Sequence, residues 1–228
     1  MKWYEKLGYK ENPLAIRPGK GSLVGYEKLI NRITYQVKIG NVIFLEGSFG
    51  TGKSSLLQHV ARGFPRNKTL YLNYAKCDRL KNAIMSKRGW FRKLFGLKPK
   101  GLYVFIDEVN LADSRDFDFL YEFYIMDRVK SLVFAGTDFT TAPFNKAFKS
   151  DTKLYKLNDI QQKLAIDILE TRMPEQRLLS APLARKIFNH AHKNPRHYLE
   201  LLEDIFRLTI ESGNKRVTPK LVDTWLKK

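Results

Sequence analysis

With 228 residues, 43% of them hydrophobic, the chain is long enough for one large domain or two small ones around a sizeable core. No apolar run approaches the ~20 residues that a membrane span needs, and Met1-Lys2-Trp3-Tyr4-Glu5-Lys6 lacks the apolar stretch of a signal peptide. A single cysteine, Cys77, excludes an internal disulfide and fits a reducing, cytoplasmic setting. The formal net charge of +18 is uneven: residues 158–228 carry +4, the first 157 carry +14, and residues 76–100 alone hold nine Lys/Arg against one Asp. Such a cluster points to a polyanionic partner, with a lysine-rich solvated surface as the plain alternative.

Residues 1–25 read as irregular, with turns at Asn12-Pro13 and Pro18-Gly19. A helical pattern then opens at Leu23-Val24-Gly25-Tyr26-Glu27 and runs to Ile39. Its apolar positions Leu29, Ile30, Ile33 and Val37 recur at helical spacing, and Gly40-Asn41 stops it. A strand is expected over 41–46, a glycine-rich loop over 47–52 and a helix over 53–63. A second strand covers 69–74. A basic segment follows, with short helical stretches near 78–87 and 90–96, where Trp90, Phe91 and Phe95 interleave with Lys87, Arg88, Arg92 and Lys93. Strands over 102–106, 131–135 and 153–157 and helices near 114–126 and 142–149 complete a first domain, residues 1–157. The alternation predicts an α/β fold, a parallel sheet flanked by helices. From Asn158 on the pattern is helical, and 158–228 is expected to form a small all-helical domain. Ser180 can cap one of its helices, through Lys193. Asn194-Pro195 and Thr218-Pro219 each pair an N-cap with proline at the first helical position, and Val217 and Val222 are placed for a hydrophobic staple.

The densest chemistry is Gly47-Ser48-Phe49-Gly50-Thr51-Gly52-Lys53-Ser54-Ser55, a complete G-x-x-x-x-G-K-[ST] loop between a predicted strand and a predicted helix. Glycine lets the backbone wrap around phosphate oxygens, and the loop amides and helix N-terminus aim partial positive charge at an anion. Lys53 is placed to reach the terminal phosphates of ATP, and Ser54 to ligate Mg²⁺. The second requirement is an acidic pair at the end of a buried strand, and Leu102-Tyr103-Val104-Phe105-Ile106-Asp107-Glu108 supplies it. Asp107 is the candidate for Mg²⁺, and Glu108 for polarising the attacking water. A third element is the strand tip Gly136-Thr137-Asp138, expected beside the phosphate loop's strand. Thr137 is preferred there over Asp138 because a hydroxyl avoids charge repulsion with phosphate. The fourth is Arg196 in Asn194-Pro195-Arg196. A helix start disfavours a cation, so a nucleotide phosphate is a candidate partner for it.

The order of these elements resembles the AAA+ ATPases. Val24-Gly25-Tyr26-Glu27 precedes the first helix, the loop follows at 47–54, then Asp107-Glu108, Thr137, and Asn194-Pro195-Arg196 in a helical lid. The lid motif looks like the second sensor of archaeal origin-recognition and cell-division-control type initiators, and is similar to that of related small archaeal, plasmid and viral ATPases. The resemblance implies a P-loop NTPase sheet domain with a helical lid and an ATP·Mg²⁺ cleft. It also implies a DNA-facing insertion at 78–100, including Lys87, Arg88, Arg92 and Lys93. Bottom-up, that segment suits phosphate neutralisation with aromatic stacking. Two departures stand out. The stretch 144–153, where the family usually carries an arginine finger, has no arginine, and Lys149 offers only a point charge. The sequence stops at Lys228, where such initiators continue into a winged-helix domain, which argues against a stand-alone origin binder. The expected function is an ATPase or nucleotide switch acting with DNA in replication, recombination or transposition. It would work as a homo-oligomer or with a replication or recombination partner, and away from membranes. The alternative is a nucleotide-dependent protein or ribonucleoprotein switch with little hydrolysis.

Overall fold

A computed structural model describes residues 2–16, 23–76, 80–87, 100–157, 163–174 and 176–227. Contacts divide the chain into two units, one of Tyr26–Phe49 and Lys53–Asn158 and the other of Met1–Gly25, Gly50–Gly52 and Asp159–Lys228.

The first unit is a five-stranded parallel sheet. Its strands are β1 (Val42–Glu46), β2 (Thr69–Asn73), β3 (Leu102–Asp107), β4 (Val129–Gly136) and β5 (Thr152–Lys156), in the spatial order β2-β3-β4-β1-β5. The strands β1, β3 and β4 read as near-continuous apolar runs because both their faces are covered. Helices α1 (Glu27–Lys38) and α2 (Lys53–Arg62) pack against β1, β3 and β4, and Phe64 just beyond α2 meets Phe105 at 5.9 Å between ring centres. On the other face Phe117 of α4 (Ser114–Ile125) meets Phe134, and Phe144 and Phe148 stack at 4.6 Å beside them. Phe44, Phe117, Phe134 and Phe148 are all fully buried, which makes this the heart of the core. Among the described residues the unit also holds two short helices, α3 (Leu80–Ser86) and α5 (Lys146–Asp151). Asp113 and Asn145 cap α4 and α5 by accepting the Arg115 and Phe148 amides.

In the helical unit, α6 (Lys163–Arg172), α7 (Ala181–His190), α8 (Pro195–Glu211) and α9 (Pro219–Trp225) surround buried Ala184, Ile187, Phe188, Tyr198, Leu202 and Phe206. Tyr198 is fully buried, and its hydroxyl donates to the Ala165 carbonyl at 3.0 Å. Asn194 caps α8, accepting from the Arg196 and His197 amides, and Thr218 caps α9 through the Leu221 amide. Val217 and Val222 are both buried. Ser180 occupies the cap position of α7 without a side-chain cap bond, and α7 stops at His190 because His192 and Lys193 turn left-handed, with φ of 51° and 56°.

The grouping of residues 1–25 with the C-terminal helices differs from the expected 1–157 and 158–228 division. Packing explains it. Leu14 is fully buried, Trp3 lies edge-on to Phe206 at 6.1 Å, and Asn12 donates to Glu203 at 2.8 Å. Arg172 donates to the carbonyls of Pro13 and Ala15 at 3.2 and 3.0 Å. The irregular reading of 1–25 otherwise matches the described residues, apart from one 3-10 turn at Glu5–Leu7.

Candidate functional site

The strand β1 buries Val42 to Leu45 and delivers the chain to the loop at Gly47. Gly50 and Gly52 adopt φ of 86° and 93°, a left-handed backbone that strains any residue with a Cβ. Lys53 is the first residue of α2, and Ser54 and Ser55 lie in its first turn. The Lys53 ammonium donates to the carbonyls of Gly47 and Ser48 at 2.6 and 2.8 Å. Burial lowers its pKa, while the charges of Asp107 and Glu108 act in the opposite sense. The three groups are therefore within electrostatic reach of one another. Thr51 is buried, whereas Phe49 is 67% exposed.

The strand β3 ends in Asp107, which is only 2% exposed. Its Oδ1 accepts the Glu108 amide at 3.1 Å, and its Oδ2 accepts the Tyr71 hydroxyl at 3.0 Å. Tyr71 in turn accepts from Gln58 of α2 at 3.2 Å. Glu108 is exposed and left-handed, at φ 60° and ψ 41°. Such a backbone costs a non-glycine residue about 1–3 kcal/mol and is concentrated at functional sites. The Val109–Leu111 3-10 turn follows directly, and Asp107 is buried where Glu108 is exposed.

The parallel register pairs Glu46 with Gly136 and Asp107 with Ala135, so Thr137 follows directly on the tips of the central strands. Asn110 fixes that tip. Its Oδ1 accepts both the amide and the hydroxyl of Thr137, at 2.7 and 3.2 Å, and its Nδ2 donates to the Asp138 carbonyl and the Thr141 hydroxyl at 2.8 and 3.0 Å. The Asp138 carboxylate instead accepts from the amide and hydroxyl of Thr140, which lowers its pKa. Glu46 closes the neighbouring side, accepting the Phe139 amide at 3.0 Å and pairing with Lys156 at 3.1 Å.

Gln58, Tyr71 and Asn110 did not emerge from the sequence. Only Gln58 carried a signal, four residues after Ser54 and so on the same helical stripe. Those of the remaining candidates that the structure describes have other partners. Arg196 is in the helical unit, where its guanidinium pairs with Glu200 one turn along at 3.2 Å. Lys149 donates to the Thr140 carbonyl at 2.9 Å. Lys87 donates to the Arg66 carbonyl at 3.4 Å, and Arg88, Arg92 and Lys93 lie outside the described residues, as do Trp90, Phe91 and Phe95. Among the described residues, no helix is long and apolar enough to cross a membrane.

A five-stranded parallel sheet of this order, flanked by helices, with a glycine loop after its first strand and a helical C-terminal region, is the AAA+ fold of P-loop NTPases. Several solved structures share it. Thermotoga maritima RuvB, a Holliday junction branch migration motor, superposes with a TM-score of 0.66 at 16% identity, over 95% of this chain and 73% of its own. Drosophila ORC bound to DNA gives 0.68 at 14% identity, over 94% of this chain and 63% of that one. Aeropyrum pernix ORC2, in ADPNP and ADP complexes, gives 0.66 at 14%, over 96% and 72%. No protein-family model and no curated protein matches the sequence.

Proposed function

We propose that this chain is an ATP- and Mg²⁺-binding AAA+ ATPase or nucleotide switch that acts with DNA in replication, recombination or transposition. The observation that carries the reading is Lys53. It is a partly desolvated cation at the mouth of a loop with two left-handed glycines, within reach of Asp107 and Glu108, and its ammonium rests on two backbone carbonyls. A phosphate chain is a better partner for that ammonium than a neutral carbonyl. The donor set also fits the metal, since Mg²⁺ takes hydroxyl, carboxylate and water oxygens, and Ser54 and Asp107 supply the first two. Held by Ser54 and Asp107, Mg²⁺ would supply positive charge to offset that of the terminal phosphates.

The chain's own residues divide the remaining work. Gly47 to Ser55 wrap the phosphates with backbone amides, and Lys53 sets their charge. Glu108 polarises water, held outside the strand by its left-handed backbone. Thr137, oriented by Asn110, hydrogen-bonds the terminal phosphate or the water. Arg196 exchanges Glu200 for phosphate and couples nucleotide state to the helical lid. The DNA part of the reading rests on charge, on the basic segment around Lys87, Arg88, Arg92 and Lys93, and on the likeness to a Holliday junction branch migration motor and to ORC bound to DNA. A homo-oligomer, or a replication or recombination protein partner, in the cytoplasm fits the same reading.

ATP hydrolysis measured against protein concentration, with and without single- and double-stranded DNA, tests it. Turnover should rise with both, and Glu108→Gln should keep nucleotide binding while losing at least ~10²-fold in rate. DNA affinity should fall steeply with salt and weaken when Lys87, Arg88, Arg92 and Lys93 are neutralised. Turnover negligible under every condition, with tight ATP binding retained, selects the second reading, a nucleotide-dependent protein or ribonucleoprotein switch. The arginine-free stretch 144–153 favours that reading, since its Lys149 is engaged with Thr140.

A further inference from the structure

A buried carboxylate needs its lone pairs occupied, and Asp107 meets that need from two directions. Oδ1 takes the amide of the next residue, which any strand end provides, while Oδ2 takes the hydroxyl of Tyr71 from the neighbouring strand. The register pairs Asn73 with Asp107, so strand alternation sets Tyr71 on the same sheet face as the carboxylate. Tyr71 is itself held by Gln58, whose position on α2 is one turn beyond Ser54. The hydrogen bonds therefore run from the phosphate-loop helix, through a phenol, to the acidic strand.

We propose that Tyr71, braced by Gln58, is a positioning residue that orients the Asp107 carboxylate for a divalent cation and ties it to the helix carrying Ser54. The inference rests on the ATP·Mg²⁺ reading above. A phenol suits the task because it is a neutral donor. It fixes Oδ2 without cancelling the charge that attracts the metal, as a lysine there would, and it leaves the second acceptor site of that oxygen free.

The test is equilibrium binding of a fluorescent ATP analogue to the full chain, titrated with MgCl₂ from a chelated baseline. Tyr71→Phe should raise the Mg²⁺ concentration at half-effect about ten-fold, as loss of a partner that orients a metal ligand commonly does. Metal-free binding should stay at the wild-type value, while loss of a buried hydrogen-bond partner should lower the melting temperature modestly. Gln58→Met, which keeps the phenol and removes its brace, should shift the midpoint the same way by less, and it carries the test if Tyr71→Phe does not fold. Tyr35→Phe, at a site 60% exposed on α1, is the neutral control. Because Tyr71 acts through Asp107, the Asp107→Asn and Asp107→Asn/Tyr71→Phe proteins should share one midpoint. A wild-type midpoint in Tyr71→Phe, or additive shifts in the double variant, overturns the inference while leaving the ATP·Mg²⁺ reading standing. A wild-type protein whose nucleotide binding ignores Mg²⁺ overturns that reading itself.

Discussion

The tips of the central strands and the helical unit are held together in different ways. At the strand tips, side chains from separate elements hydrogen-bond one another: Gln58 to Tyr71 to Asp107 on one side, Asn110 to Thr137 on the other. In the helical unit the side-chain polar bonds are mostly local. Asn194 and Thr218 cap the helices they begin, and Arg196 and Arg207 pair along their own helix. Long-range cohesion there comes mainly from apolar burial, joined by the bonds of Tyr198 to Ala165, Asn12 to Glu203 and Arg172 to Pro13 and Ala15. Cross-element hydrogen bonds fix atoms to fractions of an ångström, which chemistry at a phosphate needs. Apolar packing fixes helices as bodies.

The largest effect should come from breaking the apolar side of that comparison. Phe206→Ala removes a fully buried ring that also packs on Trp3, and should cost about 3–5 kcal/mol. Calorimetry gives the loss, and hydrogen exchange locates it. Exchange should accelerate over 2–16 and 195–211 while β1, β3 and β4 keep their protection. Uniform loss of protection would show that the two units do not differ in stability as their cohesion implies.

Asn110→Ala attacks the polar side. It removes the acceptor of the solvent-exposed Thr137 amide and releases the 137–141 turn, at a cost of about 0.5–1.5 kcal/mol in stability. If turnover depends on the placement of Thr137, it should fall up to ~10²-fold with little change in ATP affinity. A proportionate loss of binding would mean that Asn110 supports the fold rather than the tip. Gly136→Ala reaches the same contact from behind. Its new Cβ would lie 2.3 Å from Asn110 Oδ1 and 2.7 Å from the Phe44 ring, and the strain should cost about 1–3 kcal/mol. Asn110→Ala removes one of those obstacles, so the double variant should lose less than the sum, read by chemical denaturation.

The same contrast explains what could be read from the sequence. The phosphate loop, the acidic strand end, the parallel sheet and the Asn194-Pro195 and Thr218-Pro219 starts are contiguous in sequence, so residue type and spacing carry them. The placement of the Gly136-Thr137 tip beside β1 followed from the parallel reading. Tyr71 and Gln58 did not, because their bonds span 36 and 13 residues, and a polar residue on a strand or helix face looks the same whether it meets solvent or a buried carboxylate. Asn110, three residues past Asp107, is the same case, bonded across 27 residues to Thr137. The docking of residues 2–16 was hidden for another reason: Trp3 and Leu14 lie in an irregular segment, where no periodicity announces which side is buried.

The smallest effects sharpen the account of the helical unit. Asn194 and Thr218 accept helix amides, whereas Ser180 holds the same position at α7 without doing so. Asn194→Ala and Thr218→Ala should therefore each cost about 1 kcal/mol, the usual value of a cap. Ser180→Ala should stay within about 0.5 kcal/mol, as an exposed side chain without a role does. All three lie at helix starts, have a hydroxyl or amide as the only polar side-chain group, and precede a proline in the first or second helical position. Propensity alone predicts three similar losses; the hydrogen bonds predict two losses and one silence. Thermal melts of the three single variants decide between them, and equal losses would show that Ser180 takes up its cap bond in solution.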